Sequence, residues 1–80
     1  MTQQEVRKIG TDAVRELDFD FHLDSAEEQG SQLCYHFTNH RAAPDHRIFE
    51  IDVDLKQTGP SVKSIKAVLR HELEFAGHHV

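Results

Sequence analysis

The sequence predicts a two-layer α+β domain of order αβββα, with a three-stranded antiparallel meander and both helices packed on one face. Three observations lead there. Two segments alternate acidic or polar with apolar residues, Asp18-Phe19-Asp20-Phe21-His22-Leu23-Asp24 and Glu50-Ile51-Asp52-Val53-Asp54-Leu55, which is the period of a strand with one dry and one wet face. Toward either end of the chain the apolar residues recur every three or four positions instead, the period of an amphipathic helix. The connections between strands are short, and short connections join antiparallel neighbours.

The first helix opens on Thr2-Gln3-Gln4-Glu5, a capping box in which the threonine and the glutamate three residues on satisfy each other's backbone donors. Val6, Ile9, Ala13 and Leu17 form its apolar stripe, and it is expected to end near Leu17. The first strand is read over residues 18–24, with Glu27-Glu28-Gln29-Gly30 as the turn, because glycine tolerates the positive φ that tight hairpins demand. The second strand, residues 32–38, turns Leu33, Tyr35 and Phe37 inward and Gln32, Cys34, His36 and Thr38 outward. After a loop over residues 39–46, the third strand, residues 47–55, directs Phe49, Ile51, Val53 and Leu55 inward. Thr58-Gly59-Pro60-Ser61 stops it and opens the second helix, whose stripe is Val62, Ile65, Leu69, Leu73 and Ala76. Gly77 reads as a helix stop, with His78 and His79 in a frayed end.

Residues 1–80 read as a single domain, without internal repeat or linker, and a chain of this length buries only roughly 60% of its unfolded surface. A deep private active site is hard to build in so small a core. Fourteen acids outweigh nine Lys and Arg, giving −5 with neutral histidines. The seven histidines outnumber that deficit, so their protonation below their ordinary pKa of about 6.5 reverses the sign of the chain. The single cysteine, Cys34, excludes an internal disulfide, and no apolar run approaches the roughly 20 residues that span a bilayer. Met1-Thr2-Gln3-Gln4-Glu5 lacks the basic and apolar regions of a secretory signal, so a reducing cytoplasm is the expected setting.

The helices cover the inner face of the sheet, and the outer face collects Asp18, Asp20, His22, Asp24, Cys34, His36, Glu50, Asp52 and Asp54. Acids there protect sheet edges from aggregation, and they also give a field of one sign that steers a basic partner. The expected function is a small acidic protein-binding module, an inhibitor or regulator that occupies a basic surface of its partner, for instance the nucleic-acid-binding surface of another protein. Asp18, Asp20, His22, Asp24, His36, Glu50, Asp52 and Asp54 are its expected binding residues. No direct nucleic-acid or membrane binding is expected. A third reading is a small homodimer associating through sheet or edge.

Other chemistries find less support. A hairpin register placing His22 opposite Cys34 and Asp20 opposite His36 would assemble zinc-type ligands, but the spacings of known zinc sites are absent, and no metal or cofactor is expected. His71-Glu72-Leu73-Glu74-Phe75 begins like the His-Glu-x-x-His signature and fails at Phe75, where the second histidine must stand. Acids beside Cys34 disfavour its thiolate, and an exposed sheet lacks the concave pocket that paired carboxylates such as Asp20 and Asp52 need, so enzyme activity is not expected.

Ala43-Pro44-Asp45-His46 followed by Phe49, with Lys63 and Lys66 opening the second helix, is similar to the Gly-Pro-x-His loop and basic helix of double-stranded-RNA-binding domains. That resemblance implies RNA contacts from His46, Lys63, Lys66 and Arg70. The chain departs from the family pattern at Ala43, in the His46 to Phe49 spacing, and in having a strand ahead of Tyr35 with no room for one after Leu55.

Overall fold

A computed structural model describes residues 1–78 of the chain. The elements are α1 (Gln3–Arg15), β1 (Phe21–Gln29), β2 (Gln32–Asn39), a 3-10 turn (Pro44–His46), β3 (Ile48–Asp54), a short α2 (Leu55–Thr58) and α3 (Val62–His78). The strands form an antiparallel meander in the order β1-β2-β3, and α1 and α3 share its inner face. The αβββα architecture is therefore the one expected, with α2 added between β3 and the last helix. No helix among the described residues is long and apolar enough to cross a membrane.

The capping box at the start of α1 is formed: Glu5 N donates to Thr2 Oγ1 at 3.1 Å and Thr2 N donates to the Glu5 carboxylate at 3.2 Å. The helix buries Val6, Ile9, Gly10 and Ala13. It stops at Arg15, two residues early, because Leu17 N turns back to the Val14 carbonyl at 3.1 Å; Leu17 still packs on the core edge. Leu33, Tyr35, Phe37 and Val53 meet Val6, Ile65, Leu69 and Leu73 in a fully buried centre. Each such side chain removed from water stabilises the fold by about 1.5–3 kcal/mol before entropy is counted. The Tyr35 hydroxyl crosses this centre and donates to the Val6 carbonyl at 2.8 Å. Gly10 lets α1 settle on that ring, since a Cβ there would stand 2.8 Å from Tyr35 Cε1.

Several boundaries differ from the sequence reading. β1 starts at Phe21 and runs to Gln29, so Asp18 and Asp20 precede the strand rather than belonging to it. Pairing begins where β2 can supply a partner, Phe21 against Asn39, while residues 16–20 bend the chain out of α1. The turn is Gly30-Ser31, with Gly30 at φ 61°, and Glu27, Glu28 and Gln29 are strand residues. At Asp24 the strand carries a bulge: Leu23 faces Phe37 while Ser25 faces His36, so Asp24 alone falls between two consecutive pairs. Val62 is 50% exposed and stands outside the core that Ile65 begins.

Gly77 lies inside α3 rather than stopping it. Its missing side chain makes room for Phe19, whose ring would sit 2.6 Å from a Cβ at that position. Phe19 also meets His78 edge-on at 5.5 Å, so the exposed His78 belongs to the helix and rests on the Phe19 ring rather than fraying, and His79 lies outside the described residues.

Candidate functional site

The outer face of the sheet is built in rows by the register. His22, Thr38 and Ile48 form the first row; Ser25, His36 and Glu50 the second; Glu27, Cys34 and Asp52 the third; Gln29, Gln32 and Asp54 the last. None of the three strands contains Lys or Arg. The nine cations lie on helices and in the loop ahead of β3, and several are neutralised there: Lys8 pairs with Asp12 at 2.7 Å, and Lys66 and Arg70 reach Glu16 at 3.0 and 3.7 Å. Positive side chains of Lys and Arg are thus kept off the sheet, while the helices carry both signs.

Within the face, side chains hold each other in place. Thr38 Oγ1 donates to Asp24 at 2.6 Å, and His22 stands 3.8 Å from the other oxygen of the same carboxylate. In the second row His36 Nε2 meets the Glu50 carboxylate at 3.0 Å and Nδ1 meets Ser25 Oγ at 3.1 Å. The carboxylate favours a proton on Nε2, which leaves Nδ1 to accept from the serine hydroxyl. This serine, histidine and carboxylate relay has the connectivity of an activated nucleophile, but Asp24 and Glu27 flank the serine in sequence on the same strand. Acyl transfer needs donors where negative charge develops, and neighbouring carboxylates oppose that charge.

Cys34 lies in the centre of the third row, 9% exposed between Glu27 and Asp52. Its thiol is pushed above the ordinary range by burial first, then by its hydrogen bond to Asp52 and the negative charges of Asp52, Glu50 and Glu27. A thiol in that setting is a poor nucleophile and a poor metal ligand.

Of the eight residues expected to bind a partner, the structure gathers His22, Asp24, His36, Glu50, Asp52 and Asp54 on this face, and leaves Asp18 and Asp20 exposed in the segment ahead of β1. Sequence reading missed Ser25 and Glu27, which the bulge carries onto the face. Its signal was the break in alternation between Leu23 and Ala26, two apolar residues three apart where a regular strand has them two apart. The zinc-type set is not assembled: His22 faces Thr38 and Cys34 faces Glu27. Among the described residues no group of three or more His, Cys, Asp or Glu is placed to hold a metal ion.

The residues suggested by the RNA-binding resemblance fall into two places. Lys63, Lys66 and Arg70 line a groove of about 400 Å³ with Glu16 on the helical layer. His46 sits 3.4 Å from Asp45 in the 3-10 turn, next to the end of β2 where Asn39 N meets the Arg47 carbonyl. That end of the sheet is the one where Phe21 pairs with Asn39, and Phe19 beside Phe21 holds Gly77. Lys63 stands fourteen residues earlier on α3, about 21 Å along the axis.

No family model matches this chain, and no curated protein or solved structure matches it significantly.

Proposed function

We infer that the domain is a protein-binding module, an inhibitor or regulator whose acidic outer sheet face occupies a basic surface of a partner. The observation that supports this reading is the segregation of charge: Asp24, Glu27, Glu50, Asp52 and Asp54 share one face whose strands carry no Lys or Arg. Solubility alone is served by mixed signs, whereas like charges crowded on one face repel and cost stability. A field of one sign raises the rate at which an oppositely charged surface is captured and rejects surfaces of its own sign. His22 and His36, held by Asp24 and Glu50, add hydrogen-bonding groups among the acids. A surface that binds nucleic-acid phosphates through Lys and Arg is one basic partner of this kind, because carboxylates accept the same donors.

The test is charge reversal at positions outside the Thr38–Asp24 and Ser25–His36–Glu50 contacts. Glu27→Lys with Asp52→Lys should leave the fold intact and weaken association with the captured partner by at least about tenfold, mostly through slower capture. Wild-type affinity should itself fall with added salt. A folded double variant with unchanged affinity would reduce the face to a solubilising surface.

A further inference from the structure

The two edges of the sheet are treated differently. Along β1 the bulge at Asp24 interrupts the strand, and Gln3 Nε2 of α1 donates to the Ala26 carbonyl, so that edge is distorted and partly capped. β3 is regular: from Ile48 to Asp54 its register against β2 has no break. Asn39 N donates to the Arg47 carbonyl at 2.7 Å, and Leu55 N donates to the Ser31 carbonyl at 2.8 Å. These two bonds fix which residues of β3 face β2. Phe49, Ile51 and Val53 exchange backbone bonds with β2, and the alternate residues Ile48, Glu50 and Asp52 direct N–H and C=O away from the sheet. Their side chains stand on the acidic face, and Ile48 is 72% exposed. Below this edge, between β3, α2 and α3, runs a groove of about 430 Å³ whose lining includes Asp52, Asp54, Gln57, Thr58, Val68 and Glu72.

We propose that the β3 edge is the docking strand of the acidic face, and that its occupant is an extended basic segment of the partner, added antiparallel as a fourth strand. The inference rests on the binding role of the acidic face and specifies how the partner is held. An added strand makes backbone bonds to Ile48, Glu50 and Asp52 and reads specificity from alternate side chains. Residues opposite Glu50 and Asp52 share their face, where Lys or Arg is matched directly across the ladder. The residues between them point into the groove, over Val68 and beside Glu72. A second copy of this chain is the wrong occupant: two β3 strands paired antiparallel about Ile51 set Glu50 against Asp52 twice, and like charges directly opposite are destabilising.

The probe is a synthetic hexapeptide alternating arginine with valine, titrated into the isotope-labelled protein. Binding should slow amide hydrogen exchange at Ile48, Glu50 and Asp52. Methylating the arginine backbone nitrogens, which face β3 in this register, should weaken binding by about tenfold or more, whereas methylating the valine nitrogens should change it little. Binding that charge reversal abolishes but that ignores methylation would overturn strand addition while leaving the acidic-face reading intact. No binding at millimolar peptide would also overturn it, as would edge protection that rises with protein concentration alone, which is the signature of a second copy.

Discussion

The Tyr35 hydroxyl donates to the Val6 carbonyl at 2.8 Å, tying the central strand to α1 through the middle of the core. Burial alone raises the phenol far above its ordinary range, and the bond to Val6 satisfies a donor that would otherwise be orphaned. Tyr35→Phe should cost about 1 kcal/mol in denaturant unfolding, with the slope unchanged. Gly10→Ala, against the same ring, should cost about 1–3 kcal/mol despite the better helix propensity of alanine, because the methyl would meet a fully buried ring tied to Val6.

The contact between Phe19 and Gly77 predicts a change of sign. Gly77→Ala forces a methyl to 2.6 Å from the ring and should lower stability by about 1 kcal/mol. In a Phe19→Ala background the same substitution should be neutral or stabilising, since only the helix preference for alanine remains. Equal effects in both backgrounds, measured by thermal or denaturant melts, would mean that Gly77 is an ordinary helix-end glycine.

The Cys34 thiol titrates higher in the folded protein than in the unfolded chain, so its sign is fixed. Well below the ordinary value near 8.5 both states are protonated and the group contributes nothing. As pH rises through that value the unfolded chain ionises first, and stability falls until the folded thiol also ionises. Unfolding free energy should therefore decline on the alkaline side, and Cys34→Ser should flatten the first part of that decline. Alkylation of Cys34 in the native protein at about pH 8 should be slower than that of a free thiol. Glu27→Gln with Asp52→Asn should speed it, because two of the charges opposing the thiolate are gone.

The element types were legible because helix and strand periods differ and each segment keeps one of them. Val6, Ile9 and Ala13 bury one helical face, while Leu33, Tyr35 and Phe37 bury one strand face, as their spacing requires. What escaped was set by pairing rather than by local pattern. Register depends on which residues a hairpin brings together, and the turn at Gly30-Ser31 moved every partner of β1. The bulge at Asp24 then changed the parity once more, adding Ser25 and Glu27 to the face. Phe19 kept its inward position without belonging to a strand, because the ring packs on Phe21 at 5.4 Å and on Gly77 across the layers. Gly77 looks like a stop in sequence and is a close approach in space, a difference that only the neighbouring element reveals.

The most direct measurement of the central claim is chemical-shift mapping of the isotope-labelled domain against the partner captured from the native host. Perturbations are predicted to centre on His22, Cys34, His36, Glu50 and Asp52, and to weaken as salt is added. A map centred on α1 or on Lys63, Lys66 and Arg70, with the outer sheet face unchanged, would contradict it.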